Sequence, residues 1–357
     1  MSKDFYPNIW CLISILATLP VSTSSAERSF STLRRLKTYL RNSCSEDCLT
    51  GLALLSVEKC LFAGLLSRRY LFLYFFSIVV NKRSNKMYKP ETSYEEFLKS
   101  EQKKYPELNL NDIEVLKERL KENIDLSPIR NKLIVMFLHS NFFNVDMAYK
   151  AIVAYQKYRR ELPHIFENYD PSSEDMKQVF DSISISIVLN PTTGKQERIL
   201  YTDFKSTDPR EFDFVHCVRY FFMLLEYLMV TSGTFDGLVL TMNSKGICWR
   251  HVTKTPMNTF KKLIGFVQEA LPVRLKEVHI LNAGTIVSML FNIIRPFMKS
   301  SLMDLMKIHT EDSTEIFDHL PIDIMPQEMG GNGKSHYEHC EETYNQMLSA
   351  RDYILSL

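Results

Sequence analysis

The chain has 357 residues, room for two or three domains, and is 45% hydrophobic and 24% charged, which excludes a disordered polymer and allows a sizeable core. Lys and Arg number 43 against 42 Asp and Glu, and the resulting charge of +1 argues against whole-chain attraction to nucleic acid or anionic membrane, leaving only local patches. The seven cysteines are scattered, odd in number and without a CxxC pair, so they read as reduced cytosolic thiols rather than as a disulfide frame or a zinc site.

In chain order, IWCLISILATL (9–19), followed by Ser24, Ser25 and Ala26, imitates a signal peptide. The leading MSKDFYPN weakens that reading, because its one Lys is cancelled by an Asp and it contains Pro7. Phe30, Leu33, Leu36 and Leu40 then share one helical face, with Arg28, Arg34, Arg35, Lys37 and Arg41 on the rest. A second helix is predicted from Ser45 to Val57, with Ser45 as N-cap and Glu46 and Asp47 in its first turn. Residues 61–80, LFAGLLSRRYLFLYFFSIVV, match a membrane span in length. Arg68 and Arg69 interrupt it, and each would cost about 2.5–3.5 kcal/mol at a helix centre. A junction segment is the first reading and a membrane-associating segment the alternative; NKRSNK (81–86) then forms a basic linker.

From about Tyr88 the chain changes character. Thr92-Ser93-Tyr94-Glu95-Glu96 marks a helix start, DIEVLKERLKENI (112–124) is amphipathic, and LIVMFLHSNFF (133–143) and VDMAYKAIVAYQKYRREL (145–162) continue an apolar-faced bundle. Beyond Pro171, ISISIVL (183–189) and ILYTDF (199–204) read as strands around the turn NPTTGK. A long apolar helix (211–230), a strand (237–243), a helix (255–271) with Thr255 as N-cap and Pro256 at N1, a strand (276–282) and a helix (285–298) follow. That alternation predicts an α/β fold with a mainly parallel sheet flanked by helices, behind an all-α module and a helical N-terminal segment.

Catalytic signals are weak. There is no GxSxG, GxGxxG or P-loop, and the nine His residues lie alone or beside ordinary neighbours, His216–Cys217 included. Asp203, near a strand end, reads as polar machinery or as a strand cap. No catalytic residue, cofactor or metal site is expected, and the chain reads as a non-enzyme. FFMLLEYLMV (221–230) and TIVSMLFNIIRPFM (285–298) are apolar nearly all round, so they are core helices or walls of a lipid-sized pocket. Arg274 and Lys276, with Arg295, Lys299 and Lys307 downstream, form either a solvated edge or a phosphate-binding patch.

Four ordered pieces give a resemblance: FLHSNFFNVDMAYKAIVAYQKYRRELPHIF (137–166), LVLTMNSKGICWRHV (238–252), LPVRLKEVHILNAGTIVSMLFNIIRPFMKSSLMDLMKIHT (271–310) and LPIDIMPQEMGG (320–331). Over about residues 90–335 the chain resembles the CRAL-TRIO, or Sec14-like, lipid-binding family, in its insect tocopherol-transfer and retinaldehyde-binding branch. The resemblance implies one lipid held in an apolar pocket under a mobile gate helix, here Thr285–Phe297. It implies Val287, Leu290, Phe291, Ile294 and Phe297 as gate or pocket residues, and Phe221, Phe222 and Leu225 as the far wall. It further implies that Arg274 and Lys276 bind phosphoinositide headgroups. Asn243 stands where the family usually has Asp, and Met136 and Ser301 stand at two often-basic positions, so the headgroup patch is partly dismantled. Residues 5–57, with AERSFS and RLKTYLR, resemble the C-terminal dimerisation region of hAT transposases. There Glu27 matches the last acid of the catalytic triad. Its aspartate partners are absent from this chain, and one carboxylate cannot hold the metal pair of phosphoryl transfer.

The expected organisation is a dimerisation-like fragment (1–60), a hydrophobic junction and linker (61–87), a helical module (88–170), the lipid-binding domain (171–335) and a C-terminal tail (336–357). The expected function is binding of a tocopherol-, retinoid- or phosphoinositide-like lipid, with transfer as its extension, by a cytoplasmic protein peripheral at membranes. The expected partners are a hydrophobic small molecule, a phosphoinositide-containing membrane surface and a second copy through residues 1–60, with no specific nucleic acid. A transposase-derived dimerising or DNA-associated protein without transposase activity is the alternative, and a membrane-anchored lipid binder using 61–80 is the third reading.

Overall fold

A computed structural model describes residues 88–89, 92–190 and 196–356, all within one compact unit that begins at Asn85. The expectations placed on 9–19, 30–57, 61–80 and the turn 191–195, with Glu27, lie outside the described residues.

The unit opens with helices α1 (Tyr94–Lys104), α2 (Leu110–Glu122), α3 (Asn131–Ser140) and α4 (Val145–Glu161). Three of these starts are set by short polar side chains that bond orphan backbone N–H groups: Ser93 accepts from Glu96 N, Asn109 from Asn111 N and Asn144 from Met147 N. A single turn, α5 (Pro163–Phe166), and α6 (Glu174–Ser182) lead into the sheet.

Five strands, β1 (Ile183–Asn190), β2 (Glu197–Phe204), β3 (Gly237–Asn243), β4 (Leu275–Leu281) and β5 (Met306–Ile308), lie in sequence order. β1 is antiparallel to β2 and every other pair is parallel. The parallel pairs need crossovers, supplied by α7 (Phe214–Ser232) between β2 and β3, by α8 (Trp249–Thr253) and α9 (Met257–Glu269) between β3 and β4, and by α10 (Thr285–Ile294) and α11 (Ser300–Leu305) between β4 and β5. α12 (Ile316–His319), α13 (His336–Ser349) and α14 (Arg351–Ile354) complete the described chain.

The sheet divides two cores. Leu200, Leu238, Ile183 and Ile185 face the helical module and α7 in the larger one. Ile199, Tyr201, Val239 and Leu281, the alternate side chains, meet Ile316, Leu320, Met325 and Met329 in the smaller one on the outer face. α7 is the one described helix long and apolar enough to cross a membrane, and two-thirds of its apolar window is buried here in the core. Its single acid, Glu226, is buried and held by Arg159 of α4, which also donates to Tyr155 Oη at 2.9 Å and to the Phe166 carbonyl at 2.8 Å.

One helix start differs from the expectation. Pro256, not Thr255, occupies the N-cap of α9, with an extended backbone (φ −68°, ψ 106°). The Thr255 hydroxyl instead donates back to the His251 carbonyl at 3.2 Å, which closes the preceding turn.

Candidate lipid-binding site

β3 to β5 present alternate side chains to the inner face. In the parallel register Leu240 pairs with Val278, Met242 with Ile280, Val278 with Met306 and Ile280 with Ile308, so these side chains point the same way. Nearer the strand starts this face is sealed into the larger core. Toward the strand ends it opens: Leu240, Ile280 and Met306 are half-buried, and Met242 and Ile308 are 44% and 38% exposed. Apolar side chains of a central sheet normally sit under a helix, so an accessible apolar strip at the carboxyl ends of parallel strands is where such sheets take ligands.

α10 leaves the end of β4 beside that strip. It reads TIVSMLFNII, and only Val287 is buried. Leu290, Phe291 and Ile294 are half-buried, while Met289 and Ile293 are 51% and 42% exposed. A helix this apolar would be buried on most sides in a filled core. The sequence reading carried this helix to 298, but Pro296 ends the α-helix at Ile294 and the chain continues in a 3-10 turn (Arg295–Phe297). Both ends are tied. At the start, Ala283 N donates to the His309 carbonyl at 2.9 Å. At the finish, Gln268 of α9 donates to the Phe297 carbonyl at 3.2 Å and accepts from Lys299 N, Lys299 pairs with Glu269 at 2.8 Å, and Lys261 sits 4.2 Å above the Phe297 ring. Phe297 is exposed on its outer side and serves this latch.

The three far-wall candidates part company. Successive helical positions are 100° apart, so Phe222 and Leu225 face the core, Phe222 against Phe166 and Phe266 at 5.0 and 5.1 Å between ring centroids. Phe221 is half-buried and lies on a stripe with Phe214 and Val218 at the core's rim. The accessible side chains of the strip, Leu240, Met242, Ile280, Met306 and Ile308, were not singled out from the sequence. Alternation along 237–243 identifies which side chains share a face, but not that the face stays uncovered. Two surface hollows of about 500 Å³ each, one lined by Ser93, Glu96 and Lys103 of the α1 region and one by Tyr227, Gln346 and Tyr353, involve neither α10 nor the strip.

Arg274 and Lys276 lie at the opposite end of β4 from α10. The Arg274 Nε–H donates to the His139 carbonyl at 2.8 Å, and its guanidinium lies 4.3 Å from the centre of the Phe142 ring. Phe142 is 74% exposed and, like Phe143, has a left-handed backbone (φ 54° and 60°) in the turn between α3 and α4. Lys276 pairs with buried Glu197 at 2.9 Å. It sits at an irregularity in the β3–β4 register, and its stem crosses Gly237, where a Cβ would lie 2.4 Å from Lys276 Cγ. Both cations therefore have protein partners.

Asp203, at the end of β2, is buried, accepts from Phe204 N at 2.8 Å and is also bonded by the Asn243 side chain. Burial outweighs those bonds and pushes its carboxyl up to about 6. The folded chain thus holds this proton more tightly than the unfolded one, so the group subtracts stability as pH rises from about 4 to 6 and keeps subtracting it above. Asp203→Asn is expected to raise unfolding free energy at pH 7.5 by about 1–3 kcal/mol, a gain that disappears near pH 4. Denaturant unfolding at both pH values checks this; a variant less stable than its parent at pH 7.5 contradicts it.

Comparison with known proteins agrees with this architecture. Residues 184–331 match the family model described as CRAL/TRIO domain, residues 105–176 that described as Pinta-like, UBA domain, and residues 2–61 that described as hAT family C-terminal dimerisation region. The chain is 28% identical to the alpha-tocopherol transfer protein-like protein of Homo sapiens over 250 residues, 69% of this chain and 71% of that one. It is 28% identical to the Mus musculus counterpart over 63% of this chain and 66% of that one, and 21% identical to clavesin-2 of Homo sapiens over 63% and 70%. A solved structure, that of Sfh5, aligns with a TM-score of 0.40 at 14% identity over 62% of this chain and 81% of that one. The mixed five-stranded sheet flanked by helices and the CRAL/TRIO match over residues 184–331 agree in giving this part of the chain the CRAL-TRIO, Sec14-like fold that the sequence resemblance implied.

Proposed function

We propose that this chain binds one small hydrophobic lipid, tocopherol-, retinoid- or phosphoinositide-like, between the open strip of β3–β5 and α10, and carries it between membranes as a non-enzymatic cytosolic protein. The observation that carries the reading is the pairing of two uncovered apolar surfaces: the strip ending in Met242 and Ile308, and a ten-residue helix with one buried side chain. Burying ~400 Å² of ligand against them is worth roughly 10 kcal/mol gross at 25 cal/mol per Å², before the cost of association. α10 acts as the gate, hinged at the end of β4 and latched to α9. Its exposed Met289 and Ile293 meet the membrane when it opens.

Arg274 is the headgroup contact in this reading. With Nε spent on His139, its remaining N–H donors still suit a phosphate. Lys276 would have to leave Glu197 and contributes less. The expected result is saturable one-to-one uptake of a fluorescent tocopherol or retinoid analogue, with release to acceptor vesicles accelerated several-fold by a few mol% phosphoinositide. Arg274→Ala should remove the acceleration and leave uptake intact. Absence of uptake overturns the reading as a whole, whereas uptake without phosphoinositide dependence removes only the headgroup role.

The match of residues 2–61 supports self-association as a second property.

A further inference from the structure

Three histidines far apart in sequence come together on the outer face of the sheet. Glu277 and His279 are two apart on β4 and so point to the same side. His319 ends α12, which Ile316 and Leu320 pin to the same face within the smaller core. Glu277 Oε2 lies 2.9 Å from His279 Nε2 and 3.3 Å from His319 Nδ1, and the three atoms fall within 4.8 Å of one another. Tetrahedral zinc with bonds of about 2.0–2.1 Å wants ligand atoms roughly 3.3 Å apart; the Glu277–His319 pair matches this, the Glu277–His279 pair is a few tenths of an ångström short of it, and the two imidazole nitrogens are within 4.8 Å.

A fourth group behaves as a ligand's support. His279 Nδ1 is 2.9 Å from Nε2 of His309, and the two rings stack at 5.2 Å. Without a cation, His279 Nε2–H donates to Glu277, so His279 Nδ1 accepts from His309 Nε2–H. That leaves the Nδ1 of His309, a residue 3% exposed, with a lone pair and no hydrogen-bond partner. The other tautomer makes that atom a donor turned toward a carboxylate, at a distance longer than a hydrogen bond. If His279 Nε2 binds a cation, its Nδ1–H donates to His309 Nε2, and His309 carries its proton on Nδ1, facing Glu315 Oε2 at 3.8 Å. A metal-ligating histidine usually donates its second ring N–H to an outer acceptor, most often a carboxylate, carbonyl or water, and His309 stands in that place here.

We infer that Glu277 Oε2, His279 Nε2 and His319 Nδ1 form a binding site for Zn²⁺, or a divalent ion of similar preference, completed by water. Two imidazoles and one carboxylate suit Zn²⁺ and disfavour Mg²⁺ and Ca²⁺, which prefer all-oxygen shells. The ion would staple α12 to β4 behind the proposed pocket.

The test uses the full chain, stripped with EDTA and titrated with ZnCl₂ in equilibrium dialysis, with thermal unfolding alongside. The expected result is one Zn²⁺ bound at micromolar or tighter affinity with a Tm rise of several degrees. His319→Ala, at an exposed position that leaves the fold intact, should weaken that affinity at least tenfold and abolish the Tm rise, and Glu277→Gln should do the same. His339→Ala, remote from the cluster in sequence and on α13, should bind like the parent. Because cysteines elsewhere in the chain could take zinc, the difference between variants is the readout. No binding, equal binding by all variants, or equal loss in His339→Ala would each overturn the assignment.

Discussion

Ile294→Asp is expected to abolish lipid retention while leaving the chain folded. Ile294 lies on the half-buried side of α10 with Leu290 and Phe291, one turn before the latch at Phe297 and Lys299. Closing the helix over an apolar ligand would bury the new carboxylate away from water with no cation assigned to it. That costs several kcal/mol or forces the gate to stay open. Since each 1.4 kcal/mol is a factor of ten, retention should fall at least a hundredfold. The free protein tolerates the change because the side chain is only half-buried. Ile293→Asp, already 42% exposed one position earlier, is the control and should retain lipid within a few-fold of the parent. Uptake of the same fluorescent analogue measures both. Unchanged binding by Ile294→Asp contradicts a gating role for this face.

The largest stability effect is expected at Arg159. Its guanidinium is the main partner of Glu226, an acid set within the apolar α7 and buried, with Arg130 a weaker contact at 3.5 Å. Arg159→Ala removes the close cation and leaves the buried carboxylate with only the half-exposed, more distant Arg130 among apolar neighbours. It also frees the Phe166 carbonyl of its donor. Breaking a buried pair from one side costs about 3–5 kcal/mol, which lowers Tm by roughly 10 °C in a unit of this size. Removing both charges with shape kept, Arg159→Met with Glu226→Leu, should recover most of the loss, because a buried pair is worth little against an apolar replacement. A loss below about 1 kcal/mol for Arg159→Ala contradicts the assignment of Arg159 as the neutralising partner.

What the sequence made legible follows from range. β1, β2, β3 and β4 were readable because alternation and β-branched residues are local signals, and α10 because its apolar run is long, although its end was read four residues too late, past Pro296. β5 was not, since three residues of Met306–Ile308 carry no period and exist as a strand only by pairing with β4. The Thr255 cap failed for a local reason: the His251 carbonyl, four residues back, competes for its hydroxyl. Periodicity could not separate Phe221 from Phe222, because it finds an apolar helix but not which side meets Phe166 and Phe266. The open strip at Met242 and Ile308 depends on what fails to cover it. The histidine cluster was illegible for the opposite reason: His279, His309 and His319 look solitary along the chain and are joined only by the β4–β5 pairing and by the docking of α12 through Ile316 and Leu320.

Native mass spectrometry of the full chain purified from cells tests lipid binding most directly. The expected spectrum shows each protein copy carrying one non-covalent adduct with the mass of a single hydrophobic lipid, lost on organic extraction and restored by adding lipid back. Bare protein that takes up no tocopherol, retinoid or phospholipid under those conditions would contradict the proposed function.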